Sequence, residues 1–144
     1  MKKILIVVNS AKFFISHRLP LATKAQEKGF QVELAFPEIQ KKHKKLLELK
    51  KLKTNYIPLS RAGRNIFREL QTIFYLFYLF LKLKPDVVHL ITIKPVLYGG
   101  FISKILKVPT LIAISGMGYM YGKDGSKLLR FFSDMAYRLI LTNK

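Results

Sequence analysis

The sequence predicts an α/β fold, an open parallel sheet with helices on both faces, and three observations carry that reading. Apolar runs rich in Val, Ile and Leu recur five times, and several lack the polar alternation of a sheet with one wet face. Longer stretches of mixed, helix-like composition separate them. The 144 residues, 50% of them hydrophobic, suffice for a single domain with a real core.

The elements follow in chain order. Residues 3–8 form the first strand; their apolar stretch is shorter than the roughly 7–15 residues of a secretory leader, and no small-residue cleavage site follows. Ser16 is the expected N-cap of a helix that ends at Gly29, a residue suited to the left-handed C′ position, with Pro20 in the first turn where proline is tolerated. Residues 31–36 make the second strand and 38–52 the second helix, whose Leu46, Leu47, Leu49 and Leu52 mark a buried side beneath a solvated lysine face. Residues 54–59 are the third strand and 66–83 the third helix. That helix has no charge from Gln71 to Leu81, but its apolar stretch falls short of the roughly 20 residues a membrane span needs. It is expected to be buried; the alternative leaves one side for an apolar partner, with Arg61, Arg64, Arg68, Lys82 and Lys84 flanking it as interfacial anchors. A strand at 86–91, a helix at 95–106, a strand at 110–114 and a helix at 126–142 complete the chain. Strands interleaved with helices make βαβ units, hence a Rossmann-like open parallel sheet, one domain over residues 1–144.

Charge narrows the partners. With 26 Lys and Arg against 8 Asp and Glu, the net +18 predicts attraction to nucleic acid, anionic lipid or phosphorylated small molecules. Nucleic acid fits least, because no recognition pattern stands out and the aromatics fall in helices and core positions. Toward an anionic membrane surface, Lys41, Lys42, Lys44, Lys45, Arg64 and Arg68 form the expected facing set, each basic side chain adding about 1 kcal/mol. There is no cysteine, and His17, His43 and His89 are far apart, so neither a disulfide framework nor a metal site is expected.

Sheets of this kind bind ligands at the carboxyl ends of their strands, where loops converge and helix N-termini point outward. The loops there are 9–18, 37–38, 60–65, 92–95 and 115–125, most of them basic or glycine-containing. In the last, Gly116, Gly118 and Gly122 form G-x-G-x-x-x-G, one residue longer than the dinucleotide fingerprint and placed after the fifth strand instead of the first. Either this loop lets a phosphate approach main-chain N–H groups, or its glycines permit a tight turn that Tyr119 and Tyr121 pack down. Ser16 and His17 are neighbours, but no acid stands behind the histidine and no G-x-S-x-G elbow is present, so hydrolytic chemistry is unsupported. His17 stands at the cleft mouth as a hydrogen-bonding or proton-carrying candidate, or as part of a helix start. His89, inside DVVHLI, reads as a satisfied strand histidine.

Three stretches, FFISHRLPLATKAQEKGFQVELAFP (13–37), KPDVVHLITIKPVLYGG (84–100) and VPTLIAISGMGYMY (108–121), carry a resemblance. In this order and spacing they resemble the amino-terminal half of family-4 retaining glycosyltransferases, particularly bacterial enzymes that extend lipid-linked or capsular glycans. The resemblance implies half of a GT-B fold, in which two Rossmann-like domains face each other across a cleft. The amino-terminal domain receives the acceptor, and the carboxyl-terminal domain holds the nucleotide sugar with a basic pair and an E-x7-E motif. No two of Glu27, Glu33, Glu38, Glu48 and Glu69 stand eight apart, so the expected partner is a carboxyl-terminal donor-binding domain or subunit. The implied reaction moves a hexose or acetamido-hexose from a nucleotide sugar to a hydroxyl of a lipid-linked or polysaccharide acceptor, with anomeric retention and neither metal nor cofactor.

Carried onto matching positions, the resemblance assigns Ser16, His17, Arg18 and Lys94 to acceptor binding, with Arg18 or Lys94 neutralising a pyrophosphate. It brings Ser115, Gly116, Met117 and Gly118 near the acceptor or the donor diphosphate. Many relatives carry a histidine at that strand end; this chain does not, and no catalytic residue is carried over. The implied location is cytoplasmic, peripheral to the inner face of the plasma membrane. The alternatives are a non-catalytic membrane-anchoring subunit of a split transferase and a nucleotide-binding Rossmann protein.

Overall fold

Strands β1 (Lys3–Val8), β2 (Gln31–Phe36), β3 (Lys53–Tyr56), β4 (Val87–Ile91) and β5 (Thr110–Ala113) form one parallel sheet in the order β3-β2-β1-β4-β5. The structure is a computed structural model, and it describes residues 1–60, 65–113, 134 and 138. The expected open parallel sheet is thus present. Alternation along β1 explains why it lies at the centre: Leu5 and Val7 enter one core while Ile6 and Val8 enter the other, so both faces must be covered.

Helices α1 (Ala11–His17), α2 (Leu19–Glu27) and α3 (Lys41–Leu49) cover one face; α4 (Ile66–Leu83) and α5 (Ile93–Leu106) cover the other. On the first face Phe14 of α1 meets Phe36 of β2 edge-on at 5.4 Å, and both are fully buried. On the second, Leu76, Leu79 and Phe80 of α4 and Val96 and Ile102 of α5 pack on Leu5, Val7, Val88 and Leu90. Gly99 allows α5 to lie this close, because a Cβ there would meet a Leu90 methyl at 2.5 Å.

Several local expectations are corrected. The first helix is two: Ser10 caps α1 by accepting from the Phe13 N–H at 3.3 Å, and the chain breaks at Arg18 before Pro20 starts α2. Ser16 is no cap but belongs to the last turn of α1, where its hydroxyl reaches the carbonyls of Lys12 and Phe13. Gly29 does take the expected left-handed position, with φ +84°. Helix α3 is shorter than 38–52, β3 ends three residues earlier than expected, and Leu49 is exposed while Leu47 and Leu52 are buried.

The third helix spans Ile66–Leu83 as expected, from an Asn65 cap to Lys84 in the left-handed region before Pro85. Its burial differs from expectation. Thr72, Leu76, Leu79 and Phe80 face the sheet, but Phe67, Phe74 and Tyr78 on the opposite side are exposed, Phe67 to 82%. The cause is the helix–sheet–helix layering: a single layer of helices covers each face of the sheet, so the side of α4 turned away from it is left exposed. Of the expected 126–142 helix, Asp134 and Arg138 are described and helical, and the remainder falls outside the described residues. Among the described residues no helix is long and apolar enough to cross a membrane.

Candidate functional site

The order of the strands locates the site. The chain moves outward from β1 to β2 to β3, then crosses back to β4 on the other side of β1. Connections leaving β1 and β4 therefore diverge, one to α1 on the first face and one to α5 on the second, and a crevice opens between them. Residues at this switch point are Ser10, Arg18, Thr92 and Lys94.

Thr92 joins β4 to α5 with φ +74° and ψ 166°, a conformation that is essentially restricted to glycine. Two hydrogen bonds hold it there: its N–H donates to Ala113 O at 3.1 Å, and its carbonyl accepts from Val96 N–H at 3.1 Å. The strain, of order 1–3 kcal/mol, is borne by pairing to β5 and by the first turn of α5. Although Thr92 occupies the N-cap position, its side chain makes no cap bond; it is 8% exposed and Oγ1 is buried with no partner among the described residues. A hydroxyl with no partner among the described residues, at the positive end of a 14-residue helix, is available to bond a ligand.

Arg18 approaches from the other side. It stands at the α1–α2 break, its Nε is buried with no partner among the described residues, and its charge lies close enough to His89 to depress that imidazole's proton affinity. His89 is 4% exposed on β4, opposite Ile6 and Leu111; its ring Nδ1 sits 3.1 Å from Leu111 O, so an N–H there donates to the carbonyl. Among the described residues Nε2 has no partner, so His89 is only half satisfied there. Burial is the main cause of its lowered pKa, Arg18 adds to it, and the Leu111 bond opposes it.

The other residues singled out by sequence scatter. Ser16 and His17 are exposed, bonded to each other at 2.6 Å, and the His17 ring stacks on Phe13 at 4.6 Å. Lys94, in the first turn of α5, donates to Glu69 Oε1 of α4 at 2.5 Å, and Tyr98 donates to the other oxygen of the same carboxylate. Burial, and then the Glu69 bond, hold the Tyr98 phenol well above its usual pKa. Lys94 is thus tethered at the rim, on the opposite side of the sheet from Arg18. Ser115, Gly116, Met117, Gly118 and Arg64 lie outside the described residues. Lys41, Lys42, Lys44 and Lys45 are exposed on α3, and Arg68 is exposed on α4.

Sequence reasoning passed over Thr92, Glu69 and Tyr98. A threonine before a helix signals an ordinary cap, and the Glu69 pairings bridge 25 and 29 positions with no local trace. Two open concavities lie elsewhere, a groove of about 630 Å³ between α3 and β3 and another of about 270 Å³ at Phe36–Ile39. Glu33 in the former already accepts from Gln31 and Asn55, whereas Arg18, His89 and Thr92 each hold a buried polar atom with no partner among the described residues, as does Ser103 farther along α5. Among the described residues no group of His, Cys, Asp or Glu is arranged to hold a metal ion.

A family profile described as Glycosyl transferase 4-like matches residues 3–143. The chain belongs to the glycosyl transferase 4-like family. Solved structures agree in fold. Acinetobacter baumannii MurG superposes with a TM-score of 0.64 at 21% identity, over 79% of this chain and 34% of that one. UDP-GlcNAc 2-epimerase from Neisseria meningitidis, bound to UDP-GlcNAc, gives 0.65 at 15%, over 93% and 38%. The glycosyltransferase SsfS6 of Streptomyces sp. SF2575 gives 0.61 at 12%, over 98% and 45%. The transferase-like chain therefore spans less than half the length of each of these proteins. No curated protein sequence matches it.

Proposed function

We propose that this family member is the acceptor-side half of a retaining glycosyltransferase, working with a carboxyl-terminal donor-binding domain or subunit. The acceptor is a lipid-linked or polysaccharide glycan, and the donor is a nucleotide sugar. In the reaction the bond from C1 of the sugar to the diphosphate breaks, a bond from C1 to the acceptor oxygen forms, and the acceptor proton passes to the departing diphosphate. The chain's own part is to bind and orient the acceptor; it works in the cytoplasm, peripheral to the inner face of the membrane.

The observation that carries this reading is Thr92: a strained residue with an unpartnered buried hydroxyl, at the N-terminus of α5 and the strand-order reversal. With Arg18, half-buried at the α1–α2 break, supplying a cation whose Nε has no partner among the described residues, the pair suits a pyrophosphate better than a neutral sugar. Lys94, steered by Glu69, is a second cation at the same rim.

The test is an NMR titration of the labelled chain with farnesyl pyrophosphate and, separately, UDP-N-acetylglucosamine. Farnesyl pyrophosphate is expected to shift the Thr92 and Ile93 amides and the Arg18 side chain, while the nucleotide sugar, which carries a diphosphate but no polyprenyl chain, shifts them less at equal concentration. Replacement Thr92→Val, which keeps shape and removes the hydroxyl, should weaken binding roughly tenfold. Shifts confined to the α3–β3 groove, or none, would overturn the reading.

A further inference from the structure

Helix α4 carries a second apolar stripe on the side away from the core. Phe67, Leu70, Phe74, Tyr78 and Leu81 recur at helical spacing, so they share one face, and all are exposed, Phe74 to 72%. From residue 67 to 81 the stripe runs about 21 Å. Because α5 packs on the same sheet face as α4, its outward residues Phe101 and Ile105, also exposed, look in the same direction. A row of exposed apolar side chains along one helix face marks an interaction site.

Charge decides among occupants. Between residues 66 and 107 the acids are Glu69 and Asp86. Glu69 is held by Lys94 and Tyr98, and Asp86 accepts from the Lys3 backbone N–H at 2.7 Å. Arg68, Lys82, Lys84, Lys104 and Lys107, all exposed, border the stripe or follow it. A ring of cations around aromatic and aliphatic side chains, with the one nearby carboxylate already neutralised, fits an anionic bilayer surface. A second copy of this +18 chain would bring the same cations face to face.

We infer that the outer face of α4 and α5 docks the protein on anionic lipid, with Phe67, Phe74 and Tyr78 entering the headgroup region. This relocates the membrane contact from the lysines of α3, which lie on the opposite side of the sheet, beyond the roughly 8–10 Å over which charge acts at physiological salt. The inference does not depend on the transferase reading, since lipid binding requires neither donor nor acceptor.

Co-sedimentation of the whole chain with phosphatidylcholine vesicles, with and without phosphatidylglycerol, tests it. The expected result is binding to the phosphatidylglycerol vesicles that falls roughly tenfold in the double variant Phe67→Ser, Phe74→Ser, since two aromatic anchors are lost. The quadruple Lys41, Lys42, Lys44, Lys45→Gln variant should lose about threefold or less. An unchanged thermal midpoint in the serine variant shows that the fold survives. Loss of binding only in the glutamine variant, or equal binding to neutral vesicles, would overturn the assignment. So would absence of binding together with self-association that the serine variant abolishes, which would make the stripe an interface between copies.

Discussion

Helices α3 and α4 pack on opposite faces of one sheet and solve the problem of an outer surface in opposite ways. Helix α3 buries Leu47, exposes Lys41, Lys42, Lys44 and Lys45, and so needs nothing beyond water. Helix α4 buries Leu76, Leu79 and Phe80 yet exposes Phe67, Phe74 and Tyr78. The lysine-rich helix is conspicuous in sequence, but its charges are what an ordinary surface helix shows. The aromatic helix breaks the rule, and the break indicates where a partner belongs. The layers also begin differently: α1 is capped by Ser10 without strain, whereas α5 starts from a strained Thr92 that caps nothing.

The contrast between the two sides of α4 can be broken most forcefully. Phe80→Ala should cost about 3–5 kcal/mol in urea unfolding, while Phe74→Ala should change stability by at most about 0.5 kcal/mol. Equal losses would mean that the outer stripe is core after all. The contrast between helix starts comes next. Thr92→Gly should raise stability by about 1 kcal/mol, because the strain is relieved and only part is returned as backbone entropy. The same change should weaken farnesyl pyrophosphate binding.

At the other start, Ser10→Ala should cost about 1 kcal/mol, whereas Ser16→Ala, whose hydroxyl bonds only to its own helix and to His17, should cost about 0.3 kcal/mol or less. A reversed order would restore Ser16 as the cap. The smallest effect concerns His89, whose folded pKa lies below its ordinary 6.5. As pH falls below 6.5 the unfolded imidazole takes up a proton that the folded one refuses, so stability drops until the folded group titrates in turn; above 6.5 the full contribution is present. The urea midpoint should decline from pH 7.5 to 5.5 in the native chain and decline less in His89→Asn, with the four unfolding curves measured in parallel buffers.

Much of the architecture was legible because its signals are local. Ile66–Leu83 could be bounded from Asn65 at one end and Lys84-Pro85 at the other, since caps and breakers act within a turn. The first helix was misjudged because Ser10 and Ser16 are equally good caps on paper; the choice fell to Ser10 because Ala11 and Phe14 must reach the core beneath Phe36. Of the candidate site, Arg18 and Lys94 were proposed through the family resemblance, but nothing marked Thr92, for its backbone is set by Ala113 on β5, a neighbour 21 positions on.

What the sequence by itself determined is the order of the elements and their closure into a parallel sheet, since strands apolar on both sides must be covered on both sides. What only the tertiary structure decided is which side of α4 meets that sheet, where the order of strands reverses, and which polar atoms are stranded there. Those outcomes depend on contacts between residues far apart in the chain, such as Glu69 with Lys94 and Thr92 with Ala113, and hydrophobic periodicity carries no record of them.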